Sequence, residues 1–351
     1  MKFRNKKRLR IIKNFSIGWA LAFIFLSIVR GVGTTEKGNI DFEFWTSILF
    51  SVIMGSIFGV ISGFAQILTE ERAYQRISFQ KLLAIRLVYS VLFLMTLILA
   101  GYVLSKLYLG ISIGLIEFAF DDGSFAIYFY VITVDLFMVI LRQVNLMLGE
   151  GNLSKHLHGK FYTPREEERI FMFLDLQSST QLAEKLGHIK YSMLIQDCFN
   201  DLGVVVENEA EIYQYVGDEV ILTWKQKDGL RNQNCLNAYF NFKKELTRKQ
   251  DHYLEKYDCK PFFKAGLNTG IVTVTEVGKY KKEIAYHGDT INTAARIQDK
   301  CNELNRELLI SENLKIELSQ GGFQFEKIGS VSLKGKGEEA LIYGVFEGNP
   351  G

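Results

Sequence analysis

The sequence predicts a four-helix membrane anchor followed by a separate α+β domain, and three observations carry that expectation. The first 13 residues hold seven basic groups (Lys2, Arg4, Lys6, Lys7, Arg8, Arg10, Lys13) and no acid. Long apolar runs then dominate to about residue 148. Beyond them the chain is an ordinary charged mixture in which strand-like and helix-like patterns alternate. The net charge of +2 conceals this segregation, and 351 residues suffice for two or more domains. The expected layout is a basic tail at 1–13, a four-helix membrane domain at 14–145, a linker at 146–165 and an α+β domain at 166–348.

Four segments, roughly 14–29, 44–68, 87–105 and 124–141, approach the ~20 apolar residues that cross a hydrocarbon core. The first follows a basic cluster, as a signal peptide would. No small-residue cleavage site comes after it, however, and Arg30 flanks it instead. Charge sets the orientation. The tail is basic, the 69–86 loop carries Arg72, Arg76, Lys81 and Arg86, and Arg142 and Lys155 follow the fourth segment. The other loops lean acidic, with Glu36, Asp41 and Glu43 in one and Glu117, Asp121 and Asp122 in the other. Four crossings with both ends cytoplasmic satisfy the positive-inside bias. The chain is thus expected to be a multi-pass protein of the cell (plasma or inner) membrane, in contact with lipid and not with nucleic acid. Asp135, inside the fourth segment, reads either as a sensing group or as an interhelical hydrogen-bond partner. The apolar stretch 107–120 reads as re-entrant or interfacial.

Cys198, Cys235, Cys259 and Cys301 all lie in the second half, without C-x-x-C spacing or nearby histidines. They read as reduced packing residues, and a zinc site is not supported.

In the second half, "RIFMFLDL" predicts a core strand, and "SSTQLAEKLG" opens a helix with Ser178 and Gln181 at capping-box spacing. "IYQYVGDEVILTW" predicts a tight hairpin turning at Gly217-Asp218. A long helical stretch covers about 229–257, and "FFKAGLNTGIVTVTEVG" returns to strand. "HGDTINTAARIQDKCNEL" predicts a helix starting at Asp289 and Thr290. Strands around "FQFEKIG" and "EALIYGVFE" close the chain.

Asp175 interrupts a run that is otherwise apolar on both faces, and burying an unpartnered carboxylate costs several kcal/mol, roughly. Asp218 sits on the hairpin turn. If the two strands are neighbours, both carboxylates converge at one edge of the sheet and call for a hard cation such as Mg²⁺ or Mn²⁺. The helix that opens near Gln177, Ser178, Ser179 and Thr180 offers free backbone N–H groups to a phosphate. Together these features point to a nucleoside triphosphate site. Asn292 and Arg296, four apart, share a helix face suited to a ribose and to the charge of a transferring phosphoryl group. Lys334, in "LKGKG", reads either as a phosphate contact or as a plain basic turn.

In combination, "FLDLQSST", "YVGDEV" and "GDTINTAARIQ" resemble the two metal motifs and the transition-state helix of class III nucleotidyl (adenylate/guanylate) cyclases, over roughly 166–348. "YTPREEERIFMFLDL" is similar to the junction that joins four-helix anchors to such domains in bacterial members. The resemblance implies a ferredoxin-like, palm-type fold and attack of the ribose 3′-hydroxyl on the α-phosphate, with pyrophosphate leaving. It implies two divalent ions held by Asp175, Asp218 and the Leu176 carbonyl. Asn292 would orient the ribose, Arg296 would stabilise the pentacoordinate phosphorus, and Lys334 would meet the terminal phosphates. It also implies a homodimer whose two sites are shared between subunits. Adenylate-forming members usually carry Lys and Asp where this chain has Gln214 and Ala285, and guanylate-forming members carry Glu and a small polar residue. Some bacterial members with a small residue at the second position still use ATP, so ATP is expected ahead of GTP.

Three alternatives stand beside an adenylate cyclase: a guanylate or dual-specificity cyclase, a degenerate cyclase-like nucleotide receptor, and a diguanylate cyclase. The intact Asp175, Asp218, Asn292 and Arg296 speak against the second, and the missing GGDEF signature against the third. A transporter is disfavoured by the lack of an internal repeat.

Overall fold

A computed structural model describes residues 3–33, 44–73, 78–108, 114–120, 122–149, 152–319, 321–332 and 339–348. The chain divides into two compact units, Phe3–Met147 and Leu148–Gly351.

The first unit is helical: α1 (Phe3–Gly33), α2 (Phe44–Ala73), α3 (Phe79–Tyr108), the short α4 (Leu115–Ala119) and α5 (Asp122–Met147). Among the described residues, three stretches are long and apolar enough to cross a membrane: Asn5–Val29, Ser47–Glu70 and Phe125–Met147. Helices α1 and α2 approach so closely that a Cβ on Gly59 would fall 2.2 Å from Ser16 Cα, and one on Gly55 2.6 Å from Ala20 Cα. Glycines four apart permit that approach, as at small-residue membrane interfaces. Part of the apolar 107–120 stretch lies outside the described residues, and the rest contains α4.

Arg86–Asp135 and Arg142–Glu70 are buried ion pairs among the described residues of this unit. Arg86 is not the loop charge that the sequence suggested. It lies within α3, 2% exposed, and its Nε and Nη2 donate to Asp135 at 2.7 and 2.8 Å. Ser62 and Ser90 each donate to the same carboxylate at 2.6 Å. Arg142 forks onto Glu70 at 2.8 and 3.0 Å. Asp135 is therefore an interhelical partner, and its carboxylate is satisfied in a place where an isolated charge would be very costly.

The second unit begins with α6 (Asn152–Leu157), which leads into β1 (Arg165–Leu176) and α7 (Ser179–Asp201). A hairpin of β2 (Glu211–Val216) and β3 (Glu219–Lys225) follows, then α8 (Gln226–Leu230), α9 (Asn234–Arg248) and α10 (Gln250–Tyr257). The remaining elements are β4 (Phe263–Val277), β5 (Glu283–His287), α11 (Asp289–Glu303), β6 (Leu308–Ser311), α12 (Glu312–Glu317), β7 (Phe323–Ser332) and β8 (Glu339–Glu347). The single helix expected over 229–257 is broken at Arg231–Gln233, where Asn232 and Gln233 take positive φ, and again at Lys249.

The eight strands form one mixed sheet in the order β2-β3-β1-β4-β6-β8-β7, with β5 paired to the far end of β4. Even-numbered residues of β1 (Ile170, Met172, Leu174, Leu176) face a core with α7, α9 and α10. The odd-numbered Phe171 and Phe173 face a second cluster with Ile221, Val272, Val274, Tyr286 and Ala294 of α11. Period-2 alternation thus places Asp175 on the α11 face. Helix α11 lies flat on β4 because Gly266 has no Cβ, which would otherwise fall 2.2 Å from Gln298 N. Cys198, Cys235 and Cys301 are buried in the cores.

Candidate active site

The site is built at one end of the three central strands. Asp175 is paired with Glu219 of β3 on one side and with Lys264 of β4 on the other. Asp218, one residue before Glu219, occupies the hairpin turn, where Gly217 takes φ 63°. The Asp218 carboxylate raises the proton affinity of Asp175. Burial, then Asp218 and Asp299, push the Asp175 carboxyl up to about 6, against stabilising hydrogen bonds from Gln298 and the Leu176 backbone. Burial, then Asp175, Asp299 and Asp218, push Glu219 up to about 7. Burial is the larger cause of both shifts, and the neighbouring like charges add to it.

Such a donor set fits a divalent cation. Mg²⁺ typically takes one or two carboxylates and completes its octahedron with water and substrate phosphates. Among the described residues no three His, Cys, Asp or Glu side chains form a ready-made cage.

The loop after Asp175 does not form the predicted capping box. Ser178 holds the N-cap position of α7 in the left-handed region (φ 59°, ψ 31°), and its side chain makes no capping hydrogen bond. Gln177 N donates to Phe262 O at 2.9 Å, which ties the loop to the chain entering β4. Non-glycine residues in this conformation cluster at functional turns.

Asn292 is exposed on α11, while the Arg296 side chain is 27% exposed and has Asp289 at 4.0 Å. Among the described residues neither makes a hydrogen bond or ion pair with Asp175 or Asp218. They share a helical stripe with Asp299, one turn beyond Arg296, which does act on Asp175. Asp299 thus links the stripe of Asn292 and Arg296 to the edge that carries Asp175 and Asp218.

The Gln214 position depends on a bulge. In the β2–β3 ladder Ile212 pairs with Leu222, and the register then shifts so that Gln214 pairs with Ile221. Ile221 belongs to the α11-face cluster, so the extra residue brings Gln214 onto the face of Asp175. Ala285 pairs with Thr275 while its neighbour Tyr286 pairs with Val274 of the α11-face cluster. Alternation thus brings Tyr286, not Ala285, to Gln214's side. Lys334 lies outside the described residues.

Sequence reasoning missed Glu219, Lys264, Gln298, Asp299 and Tyr191. Glu219 was legible in principle, because a hairpin turning at Gly217-Asp218 sets it opposite Asp175. Tyr191 of α7 lies near Asp218 and bonds the Ser179 side chain, a contact that no local pattern announces.

The Adenylate and Guanylate cyclase catalytic domain family matches residues 161–345, more than half of the chain, so this chain belongs to that family. It is 29% identical over 214 residues to Adenylate cyclase 2 of Rhizobium meliloti (strain 1021), across 60% of this chain and 59% of that protein. It is also 24% identical over 186 residues to Receptor-type guanylate cyclase gcy-20 of Caenorhabditis elegans, across 51% of this chain and 16% of that one. Less than two thirds of either relative is spanned. A bacterial light-regulated adenylyl cyclase of known structure shares the fold, with TM-score 0.55 at 18% identity over 66% of this chain and 68% of that one.

Proposed function

We propose that this protein is a membrane-anchored adenylate cyclase that converts ATP to 3′,5′-cyclic AMP and pyrophosphate at sites shared between two copies of the chain. The observation that carries this reading is the convergence of Asp175 and Asp218 at one strand end while Asn292 and Arg296 face outward from α11. One set holds the metal and the other lacks a substrate in its own chain. A second copy docked head-to-tail completes each.

In this reading Asp175, Asp218 and the Leu176 carbonyl hold two Mg²⁺ or Mn²⁺ ions. When bound, those ions supply Lewis-acid activation of the 3′-hydroxyl and neutralise charge on the leaving pyrophosphate. The backbone amides of Ser178–Thr180 receive the phosphates at the helix N-terminus, the Gln177 amide being already bonded to Phe262 O. Asn292 orients the ribose, and Arg296 donates to the non-bridging oxygens as charge gathers on the α-phosphorus. The bond from the 3′-oxygen to the α-phosphorus forms as the α–β bridge breaks, and the hydroxyl proton leaves to solvent. Lys334 is assigned to the terminal phosphates. The helices of the first unit anchor the chain by four crossings, with both termini cytoplasmic, as the basic tail and the acidic intervening loops favour.

A second reading, GTP as substrate, is favoured by Gln214 and Ala285, which depart from the Lys/Asp pair of adenine readers. The adenylate-cyclase relative supports ATP. The test is the purified full chain with Mn²⁺ and either ATP or GTP, products separated by chromatography. Cyclic AMP as the main product supports the first reading, and cyclic GMP the second. Neither product overturns both.

A further inference from the structure

Arg169 is 1% exposed in the middle of β1, six residues before Asp175, on the α11 face, beside the cluster of Phe171, Phe173, Val272 and Tyr286. Its guanidinium joins three strands. Nε donates to Glu167 of β1 at 2.9 Å, and Nη1 to Glu211 of β2 at 3.3 Å. The flat face of the group lies 4.9 Å from the ring centre of Tyr286 on β5. Strands β2 and β5 are not neighbours in the sheet, since β3, β1 and β4 intervene. One side chain thus bridges elements that backbone pairing keeps apart.

The two ends of that bridge enclose the bulge. Glu211 opens β2, and Tyr286 packs edge-to-face on Tyr213, with ring centres 4.9 Å apart. The Tyr213 hydroxyl in turn meets the Tyr286 backbone. The residue between Ile212 and Gln214, where the register shifts, is Tyr213 itself. Losing the bulge returns β2 to simple alternation and moves Gln214 to the opposite face of the sheet. A buried ion pair seldom adds stability over apolar packing of equal volume. Stability therefore gives no account of an arginine here.

We propose that Arg169 is a positioning residue for the purine. By holding Glu211 and Tyr286 on either side of Tyr213, it fixes the bulge that aims Gln214 at the base. The proposal rests on the cyclase reading above.

The experiment measures initial rates of the purified full chain with ATP and with GTP in Mn²⁺, for wild type, R169M, R169K and E211Q. R169M fills the same space without charge. Its KM for ATP should rise roughly five- to tenfold, the weight of one well-aligned hydrogen bond, with kcat changing less and the ATP-to-GTP preference moving by a similar factor. R169K, which keeps the charge but neither the fork nor the flat face, should fall between. E211Q should shift KM in the same direction, and at 41% side-chain exposure Glu211 tolerates the change even where R169M fails to fold. An active wild type whose folded variants keep KM and purine preference within about twofold overturns this assignment alone, since one lost hydrogen bond exceeds that margin. A wild type that cyclises neither nucleotide overturns the functional reading and this assignment with it.

Discussion

Asp175 stands directly opposite Glu219 in the β1–β3 ladder, so the turn residue Asp218 sits beside it at the open end of the sheet. Three carboxylates, with Asp299 of α11 as a fourth, thus share one half-buried edge. Burial and the neighbouring carboxylates together raise the proton affinity of Asp175 and Glu219, and the proposed function assigns a divalent cation to this edge.

Asp175→Ala and Asp218→Ala should each abolish metal-dependent turnover without unfolding the chain. Removing one of several crowded acids relieves repulsion, so the metal-free melting temperature should hold or rise. Calorimetry alongside a cyclic-nucleotide assay checks both.

Metal binding should strengthen with pH. Asp175 and Glu219 bind protons more tightly folded than unfolded, with folded values of about 6 and 7. Metal-free stability contributed by these groups is therefore lost as pH rises from the ordinary carboxylate range through 6 to 7. A divalent ion reverses that loss by displacing the protons. The Mn²⁺-induced rise in melting temperature should be larger at about pH 7.5 than at about pH 5.5, because ionisation then precedes binding.

Arg296→Ala should lower kcat by roughly two to three orders of magnitude, the usual scale for one transition-state donor, with little change in KM. Single-turnover rates separate that effect from a folding defect.

In the helical unit, Asp135→Ala strands the Arg86 guanidinium in an apolar interior and should destabilise the detergent-solubilised chain by about 3 kcal/mol. The double change Arg86→Met, Asp135→Leu removes both charges and should recover most of the loss. Thermal unfolding in detergent reads both variants.

Much of the site was legible because chemistry interrupted pattern. Asp175 broke an apolar run, Asp218 sat on a turn, and Asn292 and Arg296 shared a helical stripe. What stayed hidden depends on contacts between strands or helices. The β2 bulge shows only in pairing across to β3, so a period-2 reading could not tell which face Gln214 takes. Arg86 resembled a loop charge until Asp135, on another helix, was found to neutralise it. Ser178 had the residue type of a cap and the spacing of one, but its backbone is left-handed and its side chain makes no capping hydrogen bond.

The most direct test of the proposed shared site is complementation. Asp175→Ala and Arg296→Ala chains, each inactive alone, are mixed under conditions that allow subunit exchange, and cyclic nucleotide is measured. Partial recovery is predicted, because each mixed dimer retains one whole site. No recovery, with exchange verified independently, would contradict the account.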